Sequence, residues 1–225
     1  MIRPVTFFTS IILVFSIQVI RAQSFNDWFE EGVMRVDLVF AGTAEETDYA
    51  FTGIKREPYY SGSRSTLLDP FDYGDHQFRV KDAATGKLIF THTYCTLVRQ
   101  WHTTSEAASL KRAFTHVIRF PWPRETVIVE IHDRDNEGNF RCSWTGSFDP
   151  ATLYADPGYS RPFETVDLEI NGPPGKKVDL LFLAEGYRAE EMDKFIADAR
   201  RSADFIFSDR PFKSNREAFN IRAVK

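Results

Sequence analysis

Between about Val33 and Ile170, apolar side chains recur at every second position in short runs, and this period of two most restricts the fold. Val36-Asp37-Leu38-Val39-Phe40 has apolar residues at alternate places, and Phe114-Thr115-His116-Val117-Ile118-Arg119-Phe120 alternates cleanly. Val127-Ile128-Val129-Glu130-Ile131 keeps the same period in a run that reads as buried. Successive strand side chains point to opposite faces, so each run is a strip that must hide one face. Turn signals separate the runs, among them Gly62, Asp69-Pro70, Tyr73-Gly74, Thr85-Gly86, Asn136–Asn139 and Asp149-Pro150. Short strands joined by such turns predict an antiparallel β-sandwich over 23–170, with a single short helix at Ser105–Ala113. Phe40, Phe114 and Phe120 are expected in its core.

Near Asn171 the pattern changes. Gly172-Pro173-Pro174-Gly175 predicts a stiff linker over 171–177. Val178–Leu183 is nearly continuously apolar, as a strand buried on both faces is. Met192, Phe195, Ile196, Ala199, Ala203 and Ile206 then form one helical stripe, closed off by Pro211. Ser214 and Glu217 have the spacing of a capping box for a short second helix, and Phe219–Val224 reads as another strand. Strand, helix, strand is a parallel crossover unit. Residues 178–225 are too few to bury a core alone, so they are expected to be the truncated opening of an α/β domain, with Phe182, Phe195 and Phe219 inside it.

At the N-terminus, Arg3 precedes the apolar run Ile11–Phe15, and Arg21-Ala22-Gln23 offers a small residue for cleavage. Thr6, Thr9, Ser10, Ser16 and Gln18 interrupt the segment, which therefore reads as a signal peptide over 1–22 and not as a span. The mature chain is expected to be secreted or periplasmic, without a membrane span. A net charge of −4 gives no electrostatic basis for a nucleic-acid partner. In an oxidising compartment Cys95 and Cys142 either pair as a disulfide or stay as two separate buried thiols.

The chemistry-bearing residues are sparse. None of the five histidines, His76, His92, His102, His116 and His132, is followed by Glu, so the His-Glu-x-x-His zinc motif does not occur. Each reads as an ordinary strand or loop residue, and no metal or catalytic residue is expected. Asp133, Asp135, Glu137 and Gly138 imitate the first half of a calcium loop, but the twelfth position is Trp144. A hairpin from Ile131 to Phe140 with an acidic tip explains them better. Gly158–Pro162 is half of a nucleophile elbow and reads as a loop. Tyr59, Tyr60, Phe71 and Tyr73 fall between strands. They serve loop packing or, with Tyr59, Tyr60 and Tyr73 as the platform, stack against a glycan or protein ligand.

Val178–Tyr187, Ala189–Phe195, Pro211–Ser214 and Phe219–Val224 together resemble the opening of the catalytic domain in the bacterial IgA-peptidase family of zinc metallopeptidases. Leu68–Gly74, Gly86–Ile89 and Phe120–Pro123 are similar to the all-β N-terminal domain of that family. The resemblance implies a secreted zinc endopeptidase with a zincin-like domain, whose His-Glu-x-x-His helix would lie beyond Lys225. Zinc is then expected only with that downstream region, and the β domain's partner is its own peptidase domain. Two departures stand out: Ala184–Tyr187 replaces the family's Gly-Asp-Gly-Tyr turn, and Arg188 stands where a Thr-like cap belongs. Losing the cap should weaken the helix start by about 1 kcal/mol. The chain is thus expected to be the non-catalytic N-terminal portion of such a peptidase; the alternative is a secreted, non-enzymatic sandwich that binds glycan or protein.

Overall fold

Alternation in the sequence becomes two antiparallel sheets in the computed structural model, which describes residues 24–153, 155 and 163–225. In chain order the main elements begin with α1 (Phe25–Trp28), β1 (Phe29–Gly42), β2 (Thr47–Glu57), β3 (His76–Asp82), β4 (Leu88–Tyr94) and α2 (Leu97–His102). They continue with β5 (Arg112–Pro123), β6 (Val127–Arg134), β7 (Phe140–Phe148), β8 (Thr165–Glu169), β9 (Val178–Leu183), α3 (Met192–Ile206) and β10 (Phe219–Val224). The inward residues Met34, Val36 and Leu38 make β1 an interior strand, flanked by β2 and β5. The opposing sheet has the order β4-β3-β6-β7. Both sheets contribute to one apolar core, with Ile118 and Phe120 from one side and Phe78, Val80, Val129 and Ile131 from the other. The pairing of β1 with β5 breaks register between Glu30 and Val33, where Gly32 takes a φ of 115°. A Cβ there would lie 3.1 Å from the Glu57 carbonyl oxygen, so glycine sets that bulge.

The core phenylalanines divide differently from expectation. Phe120 is fully buried in the main cluster. Phe114 is only half-buried, against Trp101 at 5.1 Å. Phe40 is buried, but its neighbours are Tyr49, His76, His102 and His116. The helix expected at Ser105–Ala113 lies earlier, at Leu97–His102. The Thr103 and Thr104 hydroxyls donate to the Gln100 and Trp101 carbonyls at 2.8 and 2.7 Å, which competes with continuing the helix. Residues 105–109 turn, and Arg112 already belongs to β5.

A third sheet, in the order β8-β10-β9, follows the sandwich. β9 and β10 pair in parallel through α3, the crossover that the spacing predicts. β8 pairs antiparallel with β10, so this strand, placed by its position with the sandwich, hydrogen-bonds into the second unit. α3 buries Phe195, Ala199 and Ala203 against the sheet's Ile221 and Ala223, with Phe182 and Phe219 packed alongside. Contrary to expectation, β9 is not buried on both faces: Leu181 and Leu183 are more than half exposed, because α3 covers only the face carrying Leu180 and Phe182. The second short helix is a 3-10 turn over Lys213–Ala218, and the Ser214 hydroxyl donates back to Pro211 at 3.1 Å instead of capping. At Arg188 the Glu191 carboxylate accepts the backbone N–H at 3.0 Å, which supplies half of a capping box without a Thr. Among the described residues no helix is long and apolar enough to cross a membrane. The expected signal segment 1–22 and the elbow-like loop 158–162 lie outside the described residues.

Candidate functional site

Two clusters emerge on the sandwich. The first is the connection from β2 to β3, which carries the aromatic loop residues. Tyr60 stacks on Phe25 at 5.7 Å, and burial raises its hydroxyl pKa to about 12. Its backbone N–H donates to Glu31 at 3.3 Å, and Glu31 is paired with Arg64 at 2.5 Å. The Arg64 guanidinium lies 4.7 Å above the Phe25 ring, so one small assembly fixes this loop. Tyr59, 66% exposed, and Tyr60 line a groove of about 680 Å³ together with Glu31, Arg64 and the linker residues Pro173–Lys176. Tyr73 stacks on Phe71 at 5.8 Å and lines neither this groove nor the neighbouring one of about 530 Å³ that Tyr60 and Phe71 share. The three tyrosines therefore form a pair and an outlier, not one platform.

The second cluster was not visible as a site in the sequence. His76 Nδ1 donates to Asp133 Oδ1 at 2.7 Å, and the Tyr49 hydroxyl donates to the same oxygen at 2.7 Å. His76 Nε2 meets the Thr96 hydroxyl at 3.1 Å, and Tyr94 meets His116 Nε2 at 2.8 Å. The Phe40 ring packs edge-on against Tyr49 at 4.9 Å and His76 at 6.0 Å. Burial opposes charge on Asp133, but hydrogen bonds from His76, Ser143 and Tyr49 outweigh it and hold the carboxyl below its usual range. Burial first, and the Asp133 charge second, push the Tyr49 hydroxyl far above its ordinary value. Burial, aided by the charge of His76, lowers His116 to about 4. Arg99, Arg134, Asp75 and His102 join His76 and Asp133 around a cavity of about 490 Å³ at this end of the sandwich. The sequence signal for the cluster was a polar residue at an inward position, as His116 is within Phe114–Phe120.

The β6–β7 connection is the expected hairpin. Asp135 accepts the backbone N–H groups of Glu137 and Asn139 and the Arg141 side chain, while Asp133 turns inward to His76. Cys95 and Cys142 are exposed and free, so they form neither a disulfide bridge nor buried thiols.

Family comparison matches residues 24–145 to the Peptidase M64 N-terminus and residues 166–225 to IgA Peptidase M64. The chain belongs to the M64 peptidase family. No curated protein is a significant match to it. The first M64 match falls on the sandwich, and the second covers β8, β9, α3 and β10. An M64 zinc site built on His-Glu-x-x-His needs two imidazoles one helical turn apart with a Glu between them. Here His76, His92, His116 and His132 stand on four different strands and His102 ends a six-residue helix, so these residues do not fit that arrangement.

Proposed function

We propose that this M64 chain supplies an exported, non-catalytic β-sandwich that docks and supports the peptidase domain, of which residues 166–225 are the zincin-like opening. The observation that carries this is the division of the two family matches between separately cored units, a closed sandwich and an α/β piece with an uncovered apolar face. In the cluster at the end of the sandwich, His76, Asp133 and Tyr49 are tied to one another and His116 to Tyr94, as expected of a scaffold and not of a working acid–base centre. Expression of the chain in cells that export it tests both parts. The purified protein should begin at Gln23 and should not cleave casein in the presence of zinc. Casein cleavage that a chelator abolishes would overturn the proposal.

The groove favours a second reading, in which the sandwich binds a glycan or peptide through Tyr59. An exposed aromatic ring beside Glu31, Arg64 and two prolines offers both stacking and hydrogen bonding. On a glycan or peptide array, Tyr59→Ala should lower binding by up to about tenfold, the loss of one stacked aromatic contact. Tyr73→Ala should leave binding unchanged. Signal that survives Tyr59→Ala would exclude the groove as the platform.

A further inference from the structure

The outer face of the four-stranded sheet carries chemistry that the proposed scaffold role does not use. Val129 and Ile131 point into the core, so Glu130 and His132 share the opposite face of β6. β7 brings Cys142 into register with His132, with a break in pairing after Ile131 that leaves Ser143 unpaired. A carboxylate oxygen of Glu130, a ring nitrogen of His132 and the Cys142 sulfur all lie within 4.8 Å of one another. His132 is 7% exposed and its Nδ1 has no hydrogen-bond partner, although its Nε2 lies 2.9 Å from Glu130 Oε2. A buried imidazole nitrogen without a partner is costly unless something else occupies it.

We propose that Glu130, His132 and Cys142 form a binding site for a divalent ion of the zinc class. One thiolate, one imidazole and one carboxylate make a mixed donor set of borderline softness, which suits Zn²⁺ or Co²⁺ and not Mg²⁺ or Ca²⁺. Bond lengths of about 2.0–2.3 Å to such an ion place tetrahedral ligand atoms about 3.3–3.6 Å apart. The three atoms therefore need to close by little more than an ångström, which rotation of the exposed Cys142 side chain can supply. Binding replaces the thiol S–H bond with a metal–sulfur bond, and the proton passes to bulk water. Glu130 can turn Oε2 to the ion while Oε1 keeps the Lys81 ammonium at 2.6 Å, a contact that orients the ligand from outside. Three protein ligands leave the fourth position to water. Cys95 lies elsewhere on the chain, beyond the end of β4, and takes no part.

Titration of the untagged, reduced full-length chain with Co²⁺ tests the site. A thiolate-to-cobalt charge-transfer band in the near ultraviolet should saturate at one equivalent and vanish when Zn²⁺ is added. Cys142→Ser should abolish the band, and Cys95→Ser should leave it intact. Glu130→Gln should weaken Co²⁺ binding by at least the 10–100-fold seen when groups outside the ligand shell are lost. Because Cys142 is exposed, its serine variant should fold, and far-ultraviolet circular dichroism confirms that. Absence of the band in the reduced wild-type chain, or its persistence in Cys142→Ser, would overturn the proposal.

Discussion

Asp133→Ala is expected to destabilise the sandwich by about 3 kcal/mol, whereas Asp133→Asn should cost only about 1 kcal/mol. The difference follows from which atom does the bonding. Both His76 Nδ1 and the Tyr49 hydroxyl donate to Oδ1 of Asp133, and an asparagine Oδ1 can accept from both. Alanine leaves the 5%-exposed His76 and the half-buried Tyr49 with donors aimed at nothing. A second variant, Tyr49→Phe, removes one donor without stranding the carboxylate, which keeps His76, and should cost about 1 kcal/mol. Urea unfolding followed by tryptophan fluorescence reads the sandwich alone, because Trp28, Trp101, Trp122 and Trp144 all lie in it. A loss below about 1 kcal/mol in Asp133→Ala, or equal losses in the Ala and Asn variants, would show that this network does not hold the end of the sandwich.

Strands with a strict period of two on a buried face were legible before any coordinates, and so was α3. In β1, β5 and β6 the buried face is mainly apolar, with His116 and Asp133 as its polar exceptions, so burial and sequence carry largely the same signal. The stripe of α3 likewise coincides with Phe195, Ala199 and Ala203 on its buried face. What the pattern cannot carry is the identity of a strand's partner. β8 has five residues and bonds to β10, about fifty positions further on, and nothing within Thr165–Glu169 encodes that choice. α2 ends before the predicted helix begins for a local reason, the threonine hydroxyls that bond back to its last carbonyls.

The site was legible in part. Tyr59 and Tyr60 do line a groove, but the linker that forms its other wall is more than a hundred residues away in sequence, and Tyr73 faces elsewhere. The histidines read singly as ordinary strand residues because no two are close in sequence. Their meaning depends on register: His76 and Asp133 are 57 residues apart and become partners only because β3 and β6 pair there. Glu130, His132 and Cys142 show the same dependence, since no spacing rule links residues joined across a β-bulge.

Acidification should weaken the sandwich in a window set by His116. Unfolded, this imidazole takes up a proton near its ordinary pKa of about 6.5; folded, burial and the nearby His76 lower it to about 4. Between those values the unfolded state binds more protons, so stability is complete above about pH 6.5 and falls as the pH drops towards 4. The full loss from this group is about 3 kcal/mol, a large share of what a domain of this size holds in reserve. Asp133 acts in the same sense but at lower pH. Its lowered pKa contributes stability at neutral pH, and that contribution disappears only as the pH falls below about 4. His116→Phe keeps an aromatic ring in the space beside Phe40 and Tyr94 but removes the titrating group. The variant should be less stable at pH 7, by about 1 kcal/mol for the orphaned Tyr94 hydroxyl, yet its stability should vary much less between pH 6.5 and 4. Urea midpoints measured across that range, with tryptophan fluorescence as the probe, give the two slopes directly. If wild type and His116→Phe lose stability in parallel, the acid sensitivity resides in another group and His116 is a bystander in the cluster.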